Sequence, residues 1–197
     1  MTSELDNQNM IQWGHTKDVD EYRKYIWKLM YEKWISFIGA IPQPSLDIGA
    51  AKSKTHSSVS LDPYPRGFVD VKGMGEELPF KDGSFKSVII ESVLKHVDEP
   101  SQVISEAKRV TTDNGMLFIS SPVNRIDSHR HSFSSSALCE IIECNGYEIV
   151  RKLGIGFSKR SIDGFLWRRL PKAMANLPIP SGMASVIFIV AKARKSS

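Results

Sequence analysis

Cysteine and long hydrophobic runs are both scarce in this chain, and each shortage excludes a class of protein. There are 2 cysteines in 197 residues, too few for a disulfide scaffold or a zinc site. No apolar stretch approaches the roughly 20 residues that a transmembrane helix needs. The polar first residues also lack the pattern of a signal peptide. The sequence therefore predicts a soluble, cytoplasmic protein without a transmembrane segment or a metal site.

The chain also has only a small excess of charge of one sign. Lys and Arg total 26 against 22 for Asp and Glu, which gives a net charge of +4. This mild excess is typical of a solvated surface rather than of a nucleic-acid-binding protein. The basic residues cluster in residues 151–172, where Asp163 is the single acid. Such a segment could contact an anionic acceptor, RNA or a membrane surface, and these alternatives stay open.

A nicotinamide-binding fingerprint is missing, although a related turn is present. Residues 45–51 read S-L-D-I-G-A-A, and Pro42 and Pro44 end any helix before them. An apolar run that ends in small residues predicts a buried strand opening into a ligand loop. Because the loop lacks G-x-G-x-x-G, a nicotinamide-dependent dehydrogenase is disfavoured.

Predicted strands and helices alternate along the rest of the chain. The strands are expected at residues 45–49, 59–62, 69–71, 85–91, 116–120, 147–153 and 186–191. Helices are expected at residues 18–38 and 101–110, and between the N-cap Ser134 and the terminating Gly146. This alternation predicts a doubly wound, Rossmann-like, mostly parallel sheet in a three-layer α/β/α fold.

The domain boundaries follow from the same pattern. Residues 1–16 are expected to be a flexible lead, and residues 17–197 a single domain. The first crossover, residues 50–58, is too short for a full helix and is predicted to be a stub. Residues 154–183 are rich in Gly, Pro and Arg and are predicted to be an irregular insertion that forms a lid over the acceptor.

Polar or glycine-containing segments follow four successive strands. They are Asp47 with Gly49, Ala50 and Ala51, then Asp62, then Met74 with Gly75 and Glu76, and then Glu91 with Ser92. Ligands of doubly wound sheets bind beyond the carboxyl ends of the strands. A carboxylate such as Asp62 can accept both hydroxyls of a ribose. The sequence therefore predicts a site for a nucleoside-type cofactor at this edge.

Several short motifs follow one another between residues 69 and 122. They are G-M-G-E-E-L-P-F at 73–80, D-G-S-F at 82–85, V-I-I-E at 88–91, L-K-H-V at 94–97, E-A-K-R-V at 106–110 and N-G with the strand after it at 114–122. The segment H-S-F-S at 131–134 fits the same order. The chain thus resembles class I S-adenosylmethionine-dependent methyltransferases of the small-molecule type, with an abbreviated first crossover.

The resemblance implies a seven-stranded sheet with an antiparallel last strand, and S-adenosylmethionine as the cofactor. It implies that Asp47, Gly49, Ala50 and Ala51 flank the methionine part of the cofactor, that Asp62 holds the ribose, that Met74, Gly75 and Glu76 border the adenine, and that Glu91 and Ser92 lie near the sulfonium. The implied reaction is methyl transfer to a small or lipid-like acceptor.

Three positions depart from the family pattern. Ala51 and Ser53 stand where later glycines of the loop are usual, and Met74 stands where an acid is usual. These residues favour an alternative in which the chain is a non-catalytic, methyltransferase-like partner subunit. A second alternative, an RNA-modifying methyltransferase, is favoured by the basic segment 151–172.

Three histidines are candidates for a general base, which is needed if the acceptor is a hydroxyl or a protonated amine. The resemblance implies that His96 begins a helix, whereas His129 and His131 lie in the loop after the fifth predicted strand. That loop is expected to face the acceptor. The two loop histidines lack an evident third metal ligand, so no metal is predicted.

Overall fold

The computed structural model describes residues 31–51, 59–65, 67–123, 131–157 and 184–195. The strands are β1 (Ser45–Ile48), β2 (Val59–Leu61), β3 (Phe85–Glu91), β4 (Thr111–Pro122), β5 (Tyr147–Phe157) and β6 (Ala184–Ala193). The helices are α1 (31–38), α2 (Pro100–Val110) and α3 (Ser135–Cys144). Several predicted features lie outside the described residues. They are the flexible lead, the start of the first predicted helix, most of the first crossover, His129 and residues 158–183 of the predicted lid.

The sheet has the strand order β2-β1-β3-β4-β6-β5. The strands β2, β1, β3 and β4 run parallel, and β6 lies between β4 and β5 and is antiparallel to both. Helices cover both faces of this sheet. The architecture confirms the predicted doubly wound, mostly parallel, three-layer fold with an antiparallel last strand.

The third predicted strand, residues 69–71, is reduced to a single bridge between Leu61 and Val71. The Asp70 carboxylate accepts hydrogen bonds from the Ser60 backbone nitrogen at 2.8 Å and from Ser60 Oγ at 2.7 Å. The Asp70 side chain therefore accepts the hydrogen bond of the Ser60 N–H group, which in a longer strand would pair with a backbone carbonyl. The described residues form six strands, and the seven-stranded sheet is not confirmed.

Two strands are longer than the sequence pattern predicts. β4 begins at Thr111, so the predicted turn around Asn114 and Gly115 lies inside the strand as an irregularity opposite β3. A Cβ atom at Gly115 would lie 3.0 Å from the Lys86 carbonyl oxygen, which explains why a glycine stands there. β5 continues to Phe157 because β6 begins at Ala184 and pairs with it, so residues 154–157 are strand rather than insertion.

Two apolar cores lie on opposite faces of the sheet. On one face, Trp34 and Phe37 of α1 pack against Phe188, with ring centroids 5.1 and 5.8 Å apart. On the other face, α2 and α3 bury side chains such as Val103 and Leu138 against the strands. Full burial of each such side chain stabilises the fold by about 1.5–3 kcal/mol. The α1 layer therefore covers the sheet face that carries Phe188.

The ends of the helices match their sequence signals. Gly39 ends α1 with a positive φ of 64°, and its N–H donates to the Ile35 carbonyl at 3.2 Å. Ser134 caps α3 by accepting a hydrogen bond from the Ala137 nitrogen at 3.1 Å, as predicted. Among the described helices, none has the length and apolar character needed to cross a membrane.

Candidate functional site

Three carboxylates meet at the carboxyl ends of β1, β2 and β3. Asp47 lies in β1, Asp62 follows the last residue of β2, and Glu91 is the last residue of β3. Asp47 and Asp62 are buried, with 5% and 8% of their surface exposed. The strand order brings these side chains together at one edge of the sheet, as the sequence predicted.

The turn after β1 requires its glycine for two reasons. Gly49 has a φ of 78°, in the left-handed region that favours glycine. A Cβ atom there would also lie 2.3 Å from Val93 Cγ2, in the segment that follows β3. The Gly49 and Ala50 N–H groups both donate to the Leu61 carbonyl, at 2.8 and 3.2 Å. The turn is therefore fixed to β2 and lies close under the segment after β3.

Ala51 takes a left-handed conformation without being a glycine, with a φ of 53°. Such a conformation costs an alanine about 1–2 kcal/mol. The Ala51 N–H donates to Asp62 Oδ2 at 3.0 Å, which offsets part of that cost. This hydrogen bond therefore keeps the turn at residues 49–51 closed, although Ala51 stands where a later glycine of the loop is usual.

The Asp62 carboxylate is held in one orientation by two backbone groups. Oδ2 accepts from the Ala51 nitrogen, and Oδ1 accepts from the Tyr64 nitrogen at 2.7 Å. An ionised carboxylate has about four lone-pair sites. Two acceptor sites of Asp62 therefore remain for a ligand after both backbone bonds are made.

The loop with Met74, Gly75 and Glu76 packs against the end of β1. A Cβ atom at Gly75 would lie 3.1 Å from Ile48 Cγ2, so the loop backbone approaches the strand closely. Met74 is 43% exposed. Glu76 Oε1 accepts from the Asp98 nitrogen at 3.3 Å, and its Oε2 atom is buried without a partner. The structure therefore places these three predicted residues beside the turn.

Two residues of α2, which sequence reasoning did not assign to the site, hold this loop. Glu106 accepts from the Leu78 nitrogen at 2.8 Å, and Arg109 Nη2 donates to the Leu78 carbonyl at 2.9 Å. Arg109 Nη1 also donates to the Phe80 carbonyl and to Asp82. We call Glu106 and Arg109 the α2 clamp. The sequence signal was present, because both belong to the motif E-A-K-R-V that carries the family resemblance.

Burial governs the ionisation of the carboxylates at the edge. The pKa of Asp47 is raised well above its ordinary value by burial, and then by the negative charges of Glu91 and Asp62. Burial raises the pKa of Glu91 to about 7. By contrast, the hydrogen bond from Arg109 lowers the pKa of Glu106. The α2 clamp is thus a stable ion pair, whereas Asp47 and Glu91 favour a cationic ligand.

Ser120 is a third residue that sequence reasoning did not assign to the site. It lies in β4 directly opposite Glu91, and the Ser92 N–H donates to its carbonyl at 2.8 Å. In the part of the chain that the structure describes, the buried atoms Ser120 Oγ and Glu91 Oε1 have no hydrogen-bond partner. Ser120 reaches the site only through the register in which β4 pairs with β3, and this register is a property of the fold.

Of the three candidate histidines, His96 lies in the segment after β3 and His131 contacts that segment, whereas His129 lies outside the described residues. His96 is exposed, and its backbone nitrogen donates to the Val93 carbonyl at 2.8 Å. His131 Nε2 lies 3.1 Å from the Asp98 carbonyl, and its ring stacks on Phe133. These contacts tie His131 to neighbouring backbone. Within the described ranges, no three His, Cys, Asp or Glu side chains are grouped to hold a metal ion.

A family model described as a methyltransferase domain matches residues 46–119. An uncharacterized protein of Methanocaldococcus jannaschii is 35% identical over 75 residues, which are 38% of this chain and 35% of that protein. The match thus spans about a third of that relative's length.

Solved structures share the fold over most of the chain. An S-adenosylmethionine-dependent methyltransferase of Thermotoga maritima has a TM-score of 0.63 at 17% identity and covers 86% of this chain and 98% of its own. A second one, from Methanosarcina mazei, has a TM-score of 0.53 at 14% identity, with 82% and 97% covered. A Haloferax volcanii methyltransferase in complex with the Trm112 methyltransferase activator has a TM-score of 0.57 at 13% identity, with 85% and 89% covered. Together with the family match, this shared fold supports a class I S-adenosylmethionine-dependent methyltransferase and implies S-adenosylmethionine as its cofactor.

Proposed function

We propose that this chain is an enzyme that binds S-adenosylmethionine at the carboxyl edge of the sheet and transfers its methyl group to a small or lipid-like acceptor. The observation that carries the proposal is the set of buried Asp47 and Asp62 with half-buried Glu91, beside the closed turn at residues 49–51. Burying carboxylates is costly unless a ligand or partner compensates them.

Each part of the cofactor has matching residues at this edge. Asp62 would hold the ribose hydroxyls, because two of its acceptor sites remain after it binds Ala51 and Tyr64. Asp47, with Gly49, Ala50 and Ala51, would flank the methionine part. When bound, S-adenosylmethionine supplies an activated methyl group on a positively charged sulfur.

The remaining residues fit the ends of the same ligand. The loop with Met74, Gly75 and Glu76 would border the adenine, and the α2 clamp fixes this loop before any ligand arrives. Glu91 and Ser92 would lie near the sulfonium, whose positive charge would stabilise the ionised Glu91 carboxylate. Preorganised groups of this kind reduce the entropy lost on binding.

Methyl transfer requires little from the protein beyond positioning of the reactants. Methyl transfer is an in-line displacement, so orientation of the acceptor and exclusion of water can lower most of the barrier. The α1 layer covers the sheet face next to the site and contributes an apolar wall through Trp34. The residues of the predicted lid that lie outside the described ranges are proposed to complete the cover.

Calorimetric titration of the purified chain with S-adenosylmethionine, S-adenosylhomocysteine and NAD tests the proposal. We expect micromolar binding of the first two ligands and none of NAD, because the turn lacks the nicotinamide-binding fingerprint. An acceptor screen with radiolabelled methyl groups would then measure transfer. Absence of binding by both adenosyl ligands would contradict the proposal.

A second candidate function is that of a methyltransferase-like chain that acts only with a protein partner. The Haloferax volcanii neighbour was solved in complex with an activator. In this chain, Tyr64 and Phe68 are 78% and 76% exposed beside the outer strand β2. Exposed aromatic side chains of this kind favour a protein contact. Cofactor binding that appears only after a partner is added would favour this candidate.

The RNA-modifying alternative depends on the basic segment 151–172. Of its cations, Arg151 and Lys152 lie in the described residues, on β5. Arg151 stacks over the Phe37 ring at 4.5 Å and donates to the Phe37 carbonyl, so it is engaged within the fold. A steep fall of RNA affinity with rising salt would favour this alternative.

A further inference from the structure

We propose that Glu91 and Ser120 form the acceptor subsite and that the acceptor is an amine. This inference rests on the function proposed above and adds the chemical class of the group that is methylated. It depends on the position of these two residues in the sheet, on their unpartnered atoms and on the charge around them.

Glu91, Ser120 and Phe188 lie in one row across three neighbouring strands. Glu91 of β3 is opposite Ser120 of β4, and Ser120 is opposite Phe188 of β6. Residues opposite each other in a sheet project from the same face. The row therefore joins a carboxylate, a hydroxyl and an aromatic ring on one surface.

The polar members of this row have no hydrogen-bond partner among the described residues. Glu91 Oε1 and Ser120 Oγ are both buried atoms, and Ser120 is 0% exposed. Leaving a buried polar group without a hydrogen bond is costly. Native proteins rarely leave two such groups adjacent without a functional reason. A ligand nitrogen between them could donate to the carboxylate and bond to the hydroxyl.

The backbone next to Glu91 is strained. Ser92 has a φ of 58°, and its N–H donates to the Ser120 carbonyl at 2.8 Å. A residue other than glycine in this region stores backbone strain, which is common at ligand sites. The hydrogen bond ties Ser92, the residue after Glu91, to Ser120 and fixes the spacing of the subsite.

The charge at this edge selects against anionic acceptors. Glu91 and Asp62 both lie close enough to Asp47 for their negative charges to raise its pKa. Within the described ranges, no lysine or arginine forms an ion pair with Asp47, Asp62 or Glu91. Such a field attracts cations and N–H donors and repels carboxylates and phosphates.

The other end of the row is apolar. Phe188 contacts Trp34 and Phe37 of α1, and these three rings are buried. The row is therefore closed at this end, and a ligand would reach Glu91 and Ser120 from the carboxyl edge of the sheet.

The transfer step balances with these residues. The bound ammonium first gives a proton to the Glu91 carboxylate, which frees the nitrogen lone pair. This lone pair forms a bond to the methyl carbon while the carbon–sulfur bond breaks and leaves its electron pair on sulfur. The methylated product leaves as an ammonium ion, and Glu91 releases its proton to solvent. Glu91 lies at the reacting nitrogen in this scheme, and Ser120 positions it.

Fluorine NMR of the chain saturated with S-adenosylhomocysteine tests the inference at pH 8. The probes are 4-fluorobenzylamine, 4-fluorobenzyl alcohol and 4-fluorobenzoate. We expect the amine to bind at least about tenfold more tightly than the benzoate, since one charged hydrogen bond contributes about 1.5–3 kcal/mol. Glu91→Gln should weaken amine binding about tenfold, and Ser120→Ala about threefold.

Ser121→Ala is the matched control, because Ser121 is the next residue of β4 and projects from the opposite face. We expect this variant to bind the amine as the wild type does. Equal binding of amine and benzoate, or unchanged amine binding in Glu91→Gln, would overturn the inference.

Calorimetry with S-adenosylhomocysteine on each variant separates the two proposals. If the wild type binds this ligand but not the amine, the acceptor assignment is wrong and the proposed cofactor site stands. If the wild type binds no S-adenosylhomocysteine, the proposed function fails and the acceptor assignment fails with it.

Discussion

The backbone N–H of Ala51 donates to Asp62 Oδ2 at 3.0 Å, so the turn after β1 and the carboxylate after β2 form one unit. This bond orders the Asp62 side chain before a ligand binds. It also holds a turn whose later glycines have been replaced. The same carboxylate therefore has a structural task and a proposed ligand task, which substitution can separate.

Asp62→Asn and Asp62→Ala should lower affinity for S-adenosylmethionine by different factors. Asparagine keeps one acceptor oxygen, so we expect a loss of about tenfold, and alanine should lose about 100-fold. Calorimetric titration measures both values. Asp113→Asn, on an exposed part of β4, is the control and should bind normally. Wild-type affinity in Asp62→Ala would show that the ribose assignment is wrong.

Glu91→Gln should stabilise the fold at alkaline pH and leave it unchanged in acid. The folded pKa of Glu91 is about 7, against an ordinary value of 4.5. Stability from the protonated carboxyl is complete below pH 4.5 and is lost as the pH rises to about 7. Above pH 7 the buried carboxylate costs up to about 3 kcal/mol, which a neutral glutamine avoids.

Thermal unfolding of both proteins between pH 4 and pH 8, without ligand, measures this effect. We expect the Tm difference to grow between pH 4.5 and pH 7 and then to level off. Glu148→Gln, on the exposed side of β5, should show no such trend. A difference that is constant with pH would contradict the assignment of Glu91 as a buried, raised-pKa carboxyl.

Arg109→Ala should destabilise the protein and weaken cofactor binding together. Arg109 donates to two loop carbonyls, to Glu106 and to Asp82. Its removal leaves Glu106 without its cation, and we expect a loss of about 2–3 kcal/mol in urea unfolding. Lys81→Ala, which removes an exposed cation from the same loop, should have little effect.

Arg109→Lys distinguishes geometry from charge in the α2 clamp. Lysine keeps the positive charge but lacks the planar fork that reaches several acceptors at once. We therefore expect it to recover less than half of the lost stability. Full recovery by lysine would mean that charge alone holds the loop.

Gly49→Ala should be much more damaging than Gly39→Ala. Both glycines have a positive φ, of 78° and 64°. A Cβ atom at Gly39 meets no atom within 4 Å, whereas one at Gly49 would lie 2.3 Å from Val93 Cγ2. We expect costs of about 1–2 kcal/mol at Gly39 and about 2–5 kcal/mol at Gly49.

The double variant Gly49→Ala with Val93→Ala tests the cause of that difference. It removes the clash but keeps the unfavourable φ, so its unfolding free energy should lie above that of Gly49→Ala. Chemical denaturation measures all four proteins. A double variant less stable than Gly49→Ala would show that the Val93 contact is not the source of the cost.

Sequence patterns predicted the parts of the fold that depend on local order. The β-branched run around Ile89 predicted β3 with its correct bounds, and Ser134 predicted the start of α3. Asp62 was identified because it ends an apolar run before proline. In each case the residues that determine the feature are neighbours in the chain.

The features that the sequence did not reveal depend on contacts between distant residues. Ser120 joins the site through its register against Glu91, which no local pattern encodes. The α2 clamp reaches back 28 residues from Glu106 to Leu78. The strand predicted at residues 69–71 was cut short because Asp70 bonds to Ser60 with its side chain. Side chains that replace backbone partners are not visible in a hydrophobic pattern.

The insertion of β6 between β4 and β5 has a consequence for synthesis on the ribosome. The strands β4 and β5 precede β6 in the chain, yet each pairs with β6. Until residues 184–193 emerge, both strands have unpaired edges that can associate with other nascent chains. The sheet can therefore close only after its final strand has been translated, and a chain released before residue 184 would keep an adhesive β4 edge.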